Sequence, residues 1–159
     1  MFGTIKDLFG AGKNAHSVLA ELRSEKRNTR GVVNAILAET EFNMTLILEH
    51  YRVGGAKALK VIRQLKVVHL SRAIDEGFDF RNVRKGKVQL PMIGHTGFFK
   101  TYVGHDCEHL MKSIRFHIDQ LKLLPELYDL EDTSIVNVKA RLENLGKRYV
   151  LLTRFLRSG

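Results

Sequence analysis

The sequence predicts an all-α protein, an antiparallel bundle of four to five helices with one long irregular loop at about residues 77–104. Apolar residues recur at helical spacing in four segments. Only two prolines occur in 159 residues, fewer turn-forming residues than all-β proteins usually need. Hydrophobic residues make up 44% and charged residues 27%, which suits a packed core under a solvated surface. The length fits a single helical domain over residues 1–159.

The clearest helical pattern in the first third of the chain spans about residues 28–52, after a weaker amphipathic pattern in residues 1–30. We expect this helix to be central, because Phe42 and Leu46 give it a second apolar face. Glycine readily takes the left-handed conformation that ends helices, so Gly54-Gly55 is predicted to end it. Its main apolar seam consists of Val33, Leu37, Thr40, Met44, Ile47 and Tyr51.

The next predicted helix spans residues 56–76 without a break. One of its sides is apolar and the opposite side is cationic, which is typical of a helix packed on a core. No aspartate or glutamate occurs between Glu49 and Asp75. The predicted buried side consists of Ala58, Val61, Ile62, Leu65 and Val68.

Residues 77–104 interrupt the helical periodicity. Five glycines and Pro91 fall in this stretch, and a short hairpin could turn at Lys85-Gly86. Long irregular connections in compact domains are usually functional or disordered. This loop is therefore the first place to look for a binding site.

Two helices with heptad-like spacing are predicted to close the chain, at about residues 105–124 and 133–157. The turn between them contains Pro125 and an acidic stretch, and a short turn implies antiparallel neighbours. Arg148 lies off the second apolar seam, so we expect it on the surface. The two seams consist of Cys107, Leu110, Ile114, His117, Leu121 and Leu124, and of Ile135, Val138, Leu142, Leu145, Tyr149, Leu152 and Leu156.

Positive charge is concentrated in the middle third of the chain. The net charge is +9, and residues 50–104 hold eleven Lys/Arg against three Asp/Glu, a net charge of +8. Cations bind the phosphate backbone, and aromatic rings stack on the bases of single strands. The sequence therefore favours a non-catalytic binding module that contacts nucleic-acid backbone or an acidic protein surface. The predicted contact residues are Lys57, Lys60, Arg63, Arg81, Arg84, Lys85 and Lys87, with Phe78, Phe80 and Phe98 as stacking rings.

A metal-dependent hydrolase is the first enzymatic alternative. Residues 105–109 match the letters H-x-x-E-H, in which His105 and His109 would hold zinc and Glu108 would activate a water molecule. A third ligand is not evident downstream, although His50 is a candidate. The same residues also suit a plain helix start with acids near its positive end. We therefore expect no metal or other cofactor here, with zinc as the alternative.

A small helical, HEPN-like ribonuclease is the second enzymatic alternative. Arg63 and His69 have the R-x5-H spacing that falls within the range such enzymes use. Thirteen arginines and seven histidines produce this spacing by chance, so the analogy rests on fold class alone. A protein that only assembles with partners, including copies of itself, is the third possibility.

The expected location is the cytoplasm. The chain has a single cysteine, Cys107, so it cannot form an internal disulfide, which fits a reducing compartment. Charged residues occur too early in the first twenty positions for a signal peptide. No apolar run approaches the ~20 residues that a membrane-spanning helix needs.

Overall fold

The computed structural model describes residues 31–95, 97–128 and 137–158, and this part of the chain is helical with no strand. The all-α prediction is confirmed, while the helices predicted within residues 1–30 lie outside the described residues. None of the described helices is both long and apolar enough to cross a membrane. The helices are α1 (Gly31–Met44, continued by a π-helical segment Thr45–Tyr51), α2 (Ala58–Gln64), α3 (Val68–Asp75), α4 (Leu90–Ile93), α5 (Cys107–Leu127) and α6 (Val138–Arg157).

The central helix is α6 rather than α1. From Arg148 to Leu156 every residue except Arg154 is buried, so this half of α6 is enclosed on all sides. It packs against α5 most extensively and also contacts α1 with its π-helical extension, α2 and α4. The predicted seam of α6 is confirmed from Val138 onward, and Ile135 lies outside the described residues. The prediction that α1 is central was wrong, because Phe42 and Leu46 on its second apolar face are only half-buried.

The predicted helix 56–76 is two helices. The chain leaves helical geometry at Leu65, whose ψ is 132°, and resumes it at Val68. Asn43 of α1 stabilises this break: the Lys66 N–H donates to Asn43 Oδ1 at 2.8 Å, and Asn43 Nδ2 donates to the Lys66 carbonyl. The amide side chain therefore replaces the hydrogen bonds that a continuous helix would make.

The start of α3 is capped from another helix. Its own N-cap residue, Val67, makes no side-chain cap. Glu39, buried on α1, instead accepts hydrogen bonds from the backbone N–H groups of His69 and Leu70, both at 3.0 Å. A carboxylate at a helix N-terminus satisfies free donors and lies at the positive end of the helix dipole.

The segment 77–104 is structured rather than irregular, and this prediction was wrong. It contains the 3₁₀ turns Phe80–Asn82 and Gly97–Tyr102 on either side of α4. The hairpin does not form, because Lys87 pairs with Asp106 in an isolated bridge instead. The segment is anchored by six buried side chains, those of Phe80, Val83, Val88, Ile93, Phe99 and Tyr102.

Two predicted helix ends differ in accuracy. The end at Gly54-Gly55 is confirmed: Gly55 has a φ of +68°, and a Cβ at Gly54 would lie 2.9 Å from the carbonyl oxygen of His50. Helix α5 continues past the predicted end and includes Pro125 near its C-terminus.

Candidate functional site

Helix α2 carries a row of exposed cations. Lys57, Lys60 and Arg63 follow one another at three-residue intervals and are all exposed. The opposite side of the helix is anchored in the core by Val61 and Ile62. None of the three cations forms an ion pair with a carboxylate in the described part of the chain. The row therefore lies on a helix that is packed into the core, and no carboxylate in the described part of the chain neutralises its positive charge.

The second predicted group of cations is less available. Arg81 binds the carboxylate of Asp79 through both Nε and Nη2, at 2.9–3.0 Å. These hydrogen bonds lower the pKa of Asp79 and raise that of Arg81. Arg84 is half-buried, with its guanidinium 5.8 Å from the ring centroid of Phe155 and its Nε buried without a hydrogen-bond partner. Lys85 and Lys87 are exposed.

The predicted stacking rings do not form a platform. Phe80 is 2% exposed and packs edge-to-face with half-buried Phe78, so it has no free face for a base. The prediction that Phe80 stacks on a base was therefore wrong, because its ring is buried. The ring of half-buried Phe98 is approached by Lys147 Nζ and by the Arg148 guanidinium, both 5.1 Å from its centroid.

The H-x-x-E-H residues are not arranged as a ligand set. The rings of His105 and His109 stack with centroids 3.8 Å apart and planes inclined by 15°. A nitrogen lone pair lies in its ring plane, so the lone pairs of stacked rings do not converge on one ion at the ~2.0–2.1 Å of a zinc–nitrogen bond. Glu108 is ion-paired with Lys112 at 2.6 Å. Within the described ranges no group of three or more His, Cys, Asp or Glu residues is suited to hold a metal.

Arg63 and His69 lie on either side of the α2–α3 break. His69 lines a groove of about 320 Å³ between α1 and α3, together with Arg72, Glu76 and Phe78. Arg63 does not line this groove. The structure therefore does not bring the pair into one cavity, and His50, the candidate third ligand, lies exposed in the π-helical segment.

A cluster that the sequence did not predict lies between α5 and α6. At its centre is Arg148, expected on the surface but only 9% exposed. Arg148 Nε donates to Tyr102 Oη at 2.8 Å, and Arg148 Nη1 donates to the Asn144 carbonyl at 3.0 Å. Tyr102 Oη also shares a hydrogen bond of 2.8 Å with Ser113 Oγ. We call this cluster the polar seam, and it comprises Tyr102, Ser113, His117, Arg141, Asn144 and Arg148.

His117 belongs to the polar seam from the α5 side. Its Nδ1 lies 2.7 Å from the Ser113 carbonyl oxygen. Burial lowers the pKa of His117 most, its bond to Ser113 opposes this, and the charges of Arg148 and Arg141 lower it further. The sequence contained a signal, since Ser113 and His117 are four residues apart and Arg141, Asn144 and Arg148 follow at three and four.

The described geometry thus offers two cationic features, an exposed row on α2 and the partly buried polar seam. Both suit anions, and neither brings together a nucleophile with a general base or three metal ligands. Comparisons with protein-family models, with curated proteins and with solved structures find no match for this chain, so its function has to be inferred from its own residues.

Proposed function

We propose that this chain is a non-catalytic cytoplasmic binding module, an antiparallel helical bundle that contacts the phosphate backbone of nucleic acid within a larger assembly. The observation that carries the proposal is the row of Lys57, Lys60 and Arg63 on α2. Flexible cations on a fixed helix neutralise phosphates and release condensed counterions. Sequence specificity is not expected, because backbone contacts carry no base information.

The distribution of carboxylates supports this assignment. The three acids within residues 50–104 are all ion-paired elsewhere: Asp75 with Arg115 at 2.7 Å, Asp79 with Arg81 at 2.9 Å, and Glu76 with Arg72 at 3.2 Å. They therefore do not offset the charge of α2, and the field of this surface stays positive.

The test compares matched triple variants by fluorescence anisotropy with labelled single- and double-stranded oligonucleotides at two salt concentrations. Lys57, Lys60 and Arg63 are changed together to glutamine, and a control changes Lys122, Lys139 and Arg157, which lie elsewhere and form no ion pair in the described part of the chain. Each contacting cation contributes about one unit to the salt slope, so the α2 variant should reduce the slope by about three. The control variant should change the salt slope little. The α2 variant should lose affinity for all oligonucleotide sequences alike.

Two outcomes would overturn the proposal. Equal losses in both variants would mean general attraction to a basic protein. No binding by the wild type near physiological salt would leave an acidic protein surface as the partner. A double change of Lys85 and Lys87 to glutamine reports whether the second exposed pair belongs to the same surface. Arg81 and Arg84 are left unchanged because one is ion-paired and the other half-buried.

The metal-dependent alternative has its own decisive observation. One equivalent of zinc that co-purifies with the protein and is lost in His109→Ala would replace the non-catalytic assignment. Hydrolysis lost in Glu108→Gln would then be required as well, because a catalytic base differs from a partner of Lys112.

A second copy of the chain is a further candidate partner. Phe116, Leu123 and Leu127 recur at seven and four residues along α5 and are all exposed. Sedimentation velocity of the wild type and of Leu127→Glu would decide between a monomer and an oligomer formed through this stripe.

A further inference from the structure

Arg148 is a buried cation without an anion. In the described part of the chain no carboxylate lies within 4 Å of it, and its partners are a phenol, a backbone carbonyl and the rings of Phe98 and Tyr102. Taking a charge out of water is costly unless a counter-charge or several hydrogen bonds compensate for it. Its Nη2 group makes none of these hydrogen bonds, so donor capacity is left over.

Further positive charge surrounds this guanidinium. Arg141 lies two turns before Arg148 on the same side of α6, and Asn144 lies one turn before it. Lys147 places its Nζ by the same Phe98 ring as Arg148. The charges of Arg148 and Arg141 lower the pKa of His117 on α5, and no carboxylate is among the groups that shift this pKa. The local field therefore favours an anion.

Neutral donors complete the arrangement. The hydroxyl groups of Tyr102 and Ser113 lie beside Arg148 and share a hydrogen bond of 2.8 Å, so one of their two protons is used between them and the other is left to donate. A carbonyl oxygen only accepts, so His117 Nδ1 donates to Ser113, and Nε2 is left to donate when the ring is protonated. A guanidinium, hydroxyls and an imidazolium are the donors that recognise a tetrahedral oxyanion with several oxygens.

We propose that the polar seam binds a phosphate group, with Arg148 as the buried anchor and Arg141 and His117 as flanking cations. The phosphate is either a free small anion or the terminal phosphate of a nucleic acid. This proposal does not rest on the α2 surface, whose cations are not part of the seam.

The test is a titration with sodium phosphate at constant ionic strength, set with sodium chloride and followed by NMR of the Arg148 Nε–H and the His117 ring. Wild-type protein should show saturable shifts, and bound phosphate should raise the pKa of His117 from its lowered value. Arg148→Met should weaken binding by about tenfold or more, because a charge-assisted bond is lost. Arg141→Gln, at an exposed position, should weaken it by about two- to fivefold.

The controls separate the seam from general charge effects. Lys139→Gln, an exposed change on the same helix, should leave phosphate binding unchanged. If Arg148→Met does not fold, Arg141→Gln and the His117 pKa decide the matter. The α2 triple variant should bind phosphate as the wild type does, which keeps failure of this proposal distinct from failure of the nucleic-acid proposal.

The source of the phosphate follows from competition. An oligonucleotide with a 5′-phosphate that displaces inorganic phosphate, while its unphosphorylated counterpart does not, identifies a nucleic-acid end. Displacement by neither identifies a small free anion. The proposal is overturned if no saturable shift occurs up to about 10 mM phosphate, a weak limit for a specific site, or if Arg141→Gln and Lys139→Gln behave alike.

Discussion

Two side chains one turn apart on α1 determine the conformation of a distant segment. Glu39 and Asn43 are both buried, and both bind backbone groups of residues 66–70. Asn43 Nδ2 also donates to Tyr149 Oη at 2.9 Å. Burial raises the pKa of Tyr149 well above its ordinary value, so its hydroxyl stays protonated. These polar groups connect α1, the α2–α3 break and α6.

At the same scale, Glu39→Ala should lower the free energy of unfolding by about 1–3 kcal/mol, because two amide donors at the start of α3 lose their acceptor. Glu39→Gln should recover part of this loss, since its amide still offers one accepting oxygen. Urea unfolding measures both, with Glu49→Ala as an exposed control on the same helix. Equal midpoints for Glu39→Ala and Glu49→Ala would mean that the cap does not contribute to stability.

For the helices themselves, apolar periodicity predicted well where it was sustained. Leu145 is fully buried and Ile114 is 1% exposed, as their seams predict. Truncation of either to alanine should cost about 2–5 kcal/mol, since the neighbours relax only partly into the cavity. Arg157→Ala, at an exposed position, should cost almost nothing. Coincident denaturant midpoints for Leu145→Ala and wild type would contradict the helix phase.

The break between α2 and α3 shows where periodicity fails. Residues 56–76 contain neither proline nor glycine, and their apolar spacing is that of one helix. The extended link forms because Asn43, more than twenty residues earlier, binds the backbone of Lys66. A partner so distant in sequence leaves no local signal. The prediction for residues 77–104 failed similarly, since their glycines suggested one irregular loop while their spaced apolar side chains are buried.

Amide hydrogen exchange tests this account of the break. In Asn43→Ala the Lys66 amide should exchange faster, because its acceptor is gone, while His69 and Leu70 stay protected by Glu39. In Glu39→Ala the pattern should reverse. Unchanged exchange of Lys66 in Asn43→Ala would show that the link is maintained by its apolar neighbours alone.

Over the whole molecule, charge could be predicted from the sequence, but not its pairing. The excess of cations in residues 50–104 predicted a positively charged surface, and Lys57, Lys60 and Arg63 are exposed together on one side of α2. Composition could not show that Arg81 is neutralised by Asp79 or that Arg148 is buried. Both depend on which helices meet, which periodicity alone does not specify.

The stability of the whole fold should depend on pH through two histidines. Burial lowers the pKa of His117 and, helped by the charge of stacked His105, that of His109 below the ordinary 6.5. Well above pH 6.5 both rings are neutral in the folded and unfolded states, so they do not make the free energy of unfolding depend on pH. As the pH falls below 6.5, the unfolded chain takes up protons before the folded one does, and the folded state loses stability.

Urea unfolding from about pH 7.5 to about pH 5 measures this effect against the ordinary histidine range. His117→Gln should lose less stability than the wild type across this window, since glutamine does not titrate, and the exposed control His95→Gln should follow the wild type. Saturating phosphate should also flatten the wild-type curve, because an anion that favours protonated His117 opposes the loss. Wild-type and His117→Gln curves that stay parallel, with and without phosphate, would remove His117 from both the pH response and the polar seam's anion site.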